Sequence, residues 1–333
     1  MSVQDAWWWP RDRWWPIDLI GCQMLGKSFV GGWSVEEVLR TGAELKQKGY
    51  GITYNLLTED LRDEKKVNQS IGAIYRLLSL MTKENSGNIA IKPTQCGLMI
   101  SYDIFLKRVE SIVEYARMQG VETEFDAERW EFIPDTFRAF QYFASKLHYR
   151  SFVRLAVQEH LVDIFDLMDE YELWDKKLRL VKGSGVYREK KKIIWRDRAR
   201  IVRQHETILR RNHMAGQVPY VATIRDIDRI ARARKILPSP FMVEFQTLYG
   251  PFVDKVFGKL LAGEDLWSEE GGLHGGWPVR VYIPFVVSWC KDEWLPYGLR
   301  RAATIRHLFF ADKQVRQAIF QEFKNKLKKE RPS

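Results

Sequence analysis

Eight times along this chain a short run of apolar and β-branched residues is followed by a longer stretch with helical periodicity. Few folds accommodate that alternation. The strand-like runs are Gly51–Leu57, Asn88–Thr94, Glu122–Ala127, Ser151–Val157, Lys177–Gly183, Pro219–Thr223, Phe241–Gln246 and Pro278–Pro284. Helical periodicity is read near 67–83, 101–119, 134–147, 159–173, 188–213, 224–235, 251–261 and 292–310. Strands that alternate with helices pair in parallel, because each helix carries the chain back before the next strand begins. Eight such units are the count of a (β/α)8 barrel. The rival is an open doubly wound sheet, but that fold begins with a Gly-rich dinucleotide turn, and none follows the first strand. The expected class is therefore α/β, a (β/α)8 barrel over 51–310 with an N-terminal helical arm and an extra C-terminal helix.

The arm begins with GKSFVGG (Gly26–Gly32) and leads to Ser34, an N-cap with Glu37 three residues on. That capping box predicts a helix from Val35 to about Lys48. Residues 1–50 are read as a Trp-rich segment and a helix packing on the barrel. Residues 311–333 are read as an amphipathic helix, Asp312 to about Lys328, with a basic tail. Charges and prolines interrupt the first residues before any apolar stretch forms, so no secretory signal is expected. Trp7, Trp8, Trp9, Trp14 and Trp15 suit packing on the barrel or a place at a membrane interface. No run of eighteen apolar residues exists to span a membrane.

Cys22, Cys96 and Cys290, odd in number and far apart, fit a reducing compartment. The expected location is cytoplasmic, with peripheral contact to the inner face of a membrane left open. The net charge of +10 is spread over most helices, denser at Arg188–Arg211 and in the tail. No helix-turn-helix, zinc-finger or RNP signature accompanies it, so no nucleic-acid partner is expected.

In a barrel of this kind chemistry collects at the C-terminal ends of the strands. Lys92, Asp126, Arg179, Lys182 and Tyr282 are the polar residues at those ends. A charge inside a barrel is costly unless paired, so Lys92, Asp126 and Arg179 are expected to meet one another or a ligand. A purely structural ion network is the alternative. The closing stretch, RVYIPFVVSWCKDEWLPYGLRR, reads as a strand ended by Pro284 and then a helix. That helix carries Tyr297, Arg300 and Arg301 on one face, where two guanidiniums can clamp a small carboxylate. A basic surface turn is the plain alternative. No two histidines have metal-ligand spacing on a strand end, and neither GxSxG nor a P-loop occurs, so no metal site is expected. The GGLHGG segment (Gly271–Gly276) is read as a loop or a lid.

These strings resemble the proline dehydrogenase family in order. IKPTQCG resembles its strand KLTQLG, FDAE its DME, LRLVKGS its RLVKGAY and FQTLYG its FQMLYG. RVYIPF and PYGLRR resemble its closing RVYxP and PYxxRR, and GKSFVGG resembles the segment before its barrel. The likeness covers roughly residues 26–305.

The resemblance implies a flavoenzyme with FAD in the barrel mouth. It would oxidise L-proline, or a related cyclic amino acid, to Δ1-pyrroline-5-carboxylate by hydride transfer to flavin N5. The electron acceptor is left open between a quinone, which the basic surface and the tryptophans would suit, and another acceptor. The resemblance implies that Asp126 and Arg179 are catalytic, the first in an ion pair that holds the closed site and the second near N5. It implies that Lys92, Leu248, Tyr282, Tyr297, Arg300 and Arg301 bind the amino acid. Ala127, Leu155, Val181, Lys182, Gly183, Thr223 and Ile224, with Arg179, would line the cofactor.

Departures from the pattern fall on both sides of the site. The family's RRLxE is Arg300-Arg301-Ala302-Ala303-Thr304 here, without a carboxylate one turn past Arg300. Its THD or THN is Thr223-Ile224-Arg225, and Leu155 stands nearest the place of its strand-four glutamine. RLVKGSGVY carries two extra residues, which displaces Tyr187 and Glu189. They set a second reading: a non-catalytic or altered-substrate barrel that binds a small carboxylate or a partner.

Overall fold

The computed structural model of the protein describes residues 26–183, 192–224, 226–250, 253–263 and 276–299. Strands β1 (Gly51–Leu56), β2 (Asn88–Ile91), β3 (Thr123–Phe125), β4 (Val153–Gln158), β5 (Leu178–Val181), β6 (Tyr220–Ala222), β7 (Glu244–Leu248) and β8 (Val279–Phe285) pair in parallel and close in chain order. The α/β barrel expected from the alternation is what the chain forms. Around it lie α1 (Val35–Gln47), α2 (Glu64–Ser79), α3 (Tyr102–Met118), α4 (Ile133–Ala144), α5 (Leu147–Arg150), α6 (Ile164–Glu170), α7 (Arg198–Met214), α8 (Ile227–Ile236) and α9 (Gly258–Ala262). A helix over 294–299 follows β8 through a 3-10 turn. The Trp-rich segment, the expected Asp312–Lys328 helix, Gly271–Gly275, Tyr187, Glu189, Arg225, Arg300, Arg301 and Thr304 lie outside the described residues.

Caps decide where several helices begin. Ser34 Oγ accepts from Glu37 N at 3.1 Å, while the Glu37 carboxylate reaches one residue further back than a capping box requires, to Trp33 N at 2.8 Å. The helix expected from 67 starts at Glu64, because Asp63 caps it through Lys65 N at 2.7 Å. The helix expected from 188 starts at Arg198, with Asp197 accepting from Ala199 N at 2.8 Å. Residues just before it are extended instead: Trp195 N donates to His160 O at 2.7 Å and Val162 N to Ile193 O at 2.9 Å.

Two strand limits also move. Strand seven, expected at Phe241–Gln246, begins at Glu244, which brings Leu248 into it and leaves Phe241 87% exposed. Pro284 does not end strand eight. It lacks only its own donor, its carbonyl accepts from Gly31 N at 2.7 Å, and the ladder continues to Phe285 opposite Leu56. That bond, with Val286 N to Gly32 O at 3.1 Å, ties the arm to the β8 edge ahead of α1.

Side chains alternate across a strand, and register partners in a parallel pair share a face. Ile52, Tyr54, Phe125, Leu155, Val157, Leu180, Phe245 and Ile283 point outward and are buried beneath the helices. Phe125, for example, meets Phe140 and Phe143 of α4 with ring centroids 5.8 Å away.

Following the register round the barrel, the inward side chains fall into layers of four from alternate strands. From the bottom upward, Asn88, Arg154, Tyr220 and Arg280 form one layer, and Thr53, Glu124, Arg179 and Gln246 the next. Above them come Ala90, Ala156, Ala222 and Tyr282, then Asn55, Asp126, Val181 and Leu248. A branched aliphatic filling would be usual; this lumen is charged. The charges survive because they are paired. Arg154 Nε lies 2.7 Å from Glu122 Oε1, Arg280 Nε lies 2.5 Å from Glu244 Oε1, and both guanidiniums face the Tyr220 ring at 3.3 and 5.0 Å.

Candidate active site

The polar layers rise to the C-terminal mouth, where β3, β5 and β8 deliver Asp126, Arg179 and Tyr282. Arg179 Nη1 lies 2.8 Å from Asp126 Oδ1, and the Tyr282 hydroxyl donates to Asp126 Oδ2 at 2.8 Å. The Arg179 guanidinium also sits 4.7 Å from the Tyr282 ring centre. Beneath, Glu124 Oε1 approaches the same Nη1 at 3.1 Å, and Glu124 Oε2 accepts from Gln246 Nε2 at 3.3 Å. Two carboxylates therefore share one guanidinium, one fully buried and one at the mouth. Burial alone would pull the Arg179 pKa down, but Glu124 and Asp126 outweigh it and hold the group firmly cationic. Burial, with the Asp126 charge beside it, pushes the Tyr282 phenol well above its ordinary value, so it stays a neutral donor. Burial also raises the Glu124 carboxyl, against the pull of Arg179.

Lys92 does not join Asp126. Its ammonium donates to Asn55 Oδ1 at 3.2 Å, and Asn55 Nδ2 is held by Ala90 O at 3.2 Å. Of the three charges expected to meet one another or a ligand, Asp126 and Arg179 do meet, while Lys92, beside Asp126 in the β2–β3 register, turns to an amide instead. The loop after Lys92 is fixed from β3: Thr94 N and Oγ1 bind the Glu128 carboxyl at 2.8 and 2.5 Å. Burial raises that carboxyl to about 8 despite those bonds.

The other expected site residues divide. Val181 and Leu248 belong to the mouth layer and are half-buried. Ala127 follows Asp126 and donates its N–H to that carboxylate at 3.0 Å. Thr223 N donates to Gln246 O at 2.8 Å and Thr223 Oγ1 accepts from Asp226 N at 2.8 Å, with half-buried Ile224 beside it. Lys182 is half exposed at the rim, 3.8 Å from Asp226. Tyr297 is buried on the helix over 294–299, while Arg300 and Arg301 lie outside the described residues. Leu155 is a correction. Strand alternation turns it outward into the core beneath the helices, fully buried, so it cannot face a cofactor in the lumen. The inward residues of β4 are Arg154, Ala156 and Gln158.

Asn55, Glu124 and Gln158 are site residues that the sequence reading misses. A period of two counted back from Asp126 reaches Glu124, and the same count on β4 reaches Gln158 once the strand's face is known.

A family model described as proline dehydrogenase matches residues 38–208, about half of the chain. The chain belongs to the proline dehydrogenase family. Its members are oxidoreductases that act on a CH–NH group, and this chain is one of them. Proline dehydrogenase 1 of Bacillus subtilis strain 168 is 23% identical over 288 residues, spanning 85% of this chain and 87% of the relative. Proline dehydrogenase 2 of the same strain is also 23% identical, over 289 residues, 85% of this chain and 87% of the relative. Among solved structures, proline utilization A from Bdellovibrio bacteriovorus, inactivated by N-propargylglycine, superposes with a TM-score of 0.66 at 18% identity. The match covers 85% of this chain and 32% of that one. The Bradyrhizobium japonicum protein of the same name gives 0.62 at 15% identity, covering 83% of this chain and 30% of that one. This proline dehydrogenase family member thus spans about a third of the length of those two proteins.

The mouth fits the flavin that the resemblance implies. Ala90, Ala156 and Ala222 leave open space beside Tyr282 in their layer, and Arg179, whose buried Nε makes no hydrogen bond, sets a fixed cation beside it. Lys182 adds a second cation at the rim. Gly183 turns the chain after β5 with φ +83°, where a Cβ would stand 1.2 Å from His160 Nδ1. Gly183→Ala is therefore expected to lose about 1–3 kcal/mol of stability through backbone strain and displacement of the imidazole. Urea unfolding checks it; an unchanged midpoint would mean that the turn relaxes freely.

Proposed function

We propose that this chain is an FAD-dependent proline dehydrogenase, oxidising L-proline or a related cyclic amino acid to Δ1-pyrroline-5-carboxylate. The observation that carries the reading is the Asp126–Arg179–Tyr282 cluster at the barrel mouth, above a lumen whose charges are otherwise paired. FAD, when bound, supplies the hydride acceptor for the amino acid's CH–NH carbon. Arg179 keeps a fixed positive charge where negative charge would develop, without reorganising, because Asp126 and Glu124 hold it. Tyr282, neutral and anchored on Asp126, gives the small ring a rigid wall, and Lys92 presents an ammonium positioned by Asn55. Arg300 and Arg301 would anchor the carboxylate. Electrons would pass on to a quinone or another acceptor, and the expected location is cytoplasmic. Among the described residues no helix is long and apolar enough to cross a membrane.

The purified protein should show flavin absorbance, and acid should release FAD. Anaerobic L-proline should bleach the flavin bands, while the uncharged prolinamide should bind about ten- to a hundredfold more weakly, having lost a charge-assisted carboxylate contact. Release of FMN or a nicotinamide nucleotide, or equal binding of acid and amide, would overturn the reading. A flavin that binds the acid without being reduced would favour the altered-substrate alternative.

A further inference from the structure

The turn that follows β2 is held from the strands on both sides of it, and Lys92 opens that turn. Lys92 commits both of its backbone groups there. Its O accepts from Gln95 N at 3.0 Å and Cys96 N at 3.2 Å, and its N donates to Gln95 Oε1 at 3.2 Å. Gln95 Nε2 in turn donates to Leu56 O of β1 at 3.1 Å and to Thr58 Oγ1 just past it at 2.5 Å. Thr94 adds a second pair of ties. Its N and Oγ1 meet the Glu128 carboxyl beyond β3 at 2.8 and 2.5 Å, and its Oγ1 accepts from Asp60 N beyond β1 at 2.9 Å. Thr94, Gln95 and Glu128 are all buried, so water does not compete for these bonds.

A backbone N–H can only donate, which fixes the direction of these bonds. Glu128 Oε2 therefore accepts from Thr94 N. Thr94 Oγ1 spends one lone pair on Asp60 N and keeps a hydrogen and a second lone pair for Glu128 Oε1. An ionised carboxylate takes that hydrogen; the neutral acid, which burial favours, gives its own proton to that lone pair. The grip holds in either state. Asp60 itself stands at φ +58°, where residues other than glycine are uncommon, and Arg129 Nη2 anchors its Oδ1 at 2.7 Å. Such a backbone persists where its contacts over-determine it, and these lead to Thr94 and to the residue beside Glu128.

A lysine ammonium rides on a flexible four-carbon stem, and among the described residues this one hydrogen-bonds to Asn55 Oδ1 alone. Its place in the mouth is then set by where the turn holds its backbone. We propose that Thr94 and Glu128 are positioning residues that hold this turn, and so direct the Lys92 ammonium at the substrate, without touching the substrate themselves. This rests on the reading of Lys92 as a substrate contact and adds two residues whose effect runs through it.

The test is a double-mutant cycle read by steady-state kinetics of the holoenzyme with L-proline. Thr94→Val removes the hydroxyl and its bonds to Glu128 and Asp60. It should raise KM about tenfold while kcat falls less than about threefold, the pattern of a lost binding contact. Glu128→Met should do at least as much. Conservative variants should restore the grip. Thr94→Ser keeps the hydroxyl, and Glu128→Gln still offers an acceptor to Thr94 N and a donor to Oγ1, so both should stay within about threefold of wild type. In a Lys92→Met background, Thr94→Val should change KM by less than about twofold, because the group it places is gone. A general loosening of the fold would not give that result. If Thr94→Val raises KM as much without Lys92 as with it, the inference is wrong. If folded Thr94→Val and Glu128→Met proteins match wild type, it is wrong as well. Should Glu128→Met fail to fold, the cycle on Thr94→Val decides by itself. A Lys92→Met protein with unchanged KM would remove Lys92 from the substrate site, and this inference with it. A wild-type protein that leaves L-proline unoxidised would overturn the functional reading instead.

Discussion

Asp126→Ala is expected to lower kcat/KM for the amino acid by roughly a hundred- to a thousandfold, the usual scale for removing a preorganised electrostatic group. Its carboxylate holds both the Arg179 guanidinium and the Tyr282 hydroxyl at 2.8 Å, so one substitution removes a contact from each. The stability loss should be the smaller effect. Truncating one partner of a buried ion pair costs about 3–5 kcal/mol when the other charge is stranded. Here Glu124 still faces Arg179 at 3.1 Å, and about 1–3 kcal/mol is expected instead. Adding Glu124→Gln should then cost more than the two single effects summed, because the second change removes the remaining counter-charge. Steady-state kinetics and urea midpoints of the two single variants and the double decide this. Unchanged turnover in Asp126→Ala would remove the cluster from the mechanism, and additive stability losses would show that Glu124 does not share the charge.

The largest stability effect is expected away from the mouth. Glu159 is fully buried just past β4 and accepts from His205 Nδ1 at 2.6 Å and from Arg229 Nη1 and Nη2 at 2.6 and 3.0 Å. It is the tie between β4, α7 and α8. Glu159→Ala leaves the Arg229 charge without its carboxylate and should cost about 3–5 kcal/mol.

The acid dependence follows from the same group. Burial by itself would raise the Glu159 carboxyl, but Arg229 and His205 hold it down at about 2, below its ordinary 4.5. Glu122 behaves alike: burial opposes, and Arg154 with Lys177 holds it at about 2. A carboxyl depressed in the folded state stabilises fully above its unfolded pKa, and that contribution is lost as pH falls through the folded value. The wild-type protein should therefore lose stability between about pH 4.5 and 2, and Glu159→Gln should lose less over that window. Urea midpoints at neutral and acid pH measure both. An equally steep acid loss in the variant would place the titration elsewhere.

The alternation of strand and helix was enough to set the barrel, because no other arrangement buries eight parallel strands with their crossovers so simply. The strand-end strings were enough for the family, and the Ser34 box was enough for the first helix, since a cap is a local bond. Pairing in the lumen was not legible. Asp126 is 53 residues from Arg179 and 156 from Tyr282, and nothing local in the chain decides that Arg179 takes Asp126 while Lys92 turns to Asn55. Only closure of the sheet brings those strands round one axis, and the register sets which charges share a layer. The face of β4 was decided in the same way. Aligned by its letters, Leu155 stood at the cofactor; with a side-chain period of two, a shift of one residue turns the whole strand over. In the barrel Leu155 turns out to the helices, and Gln158 turns inward in register with Val181.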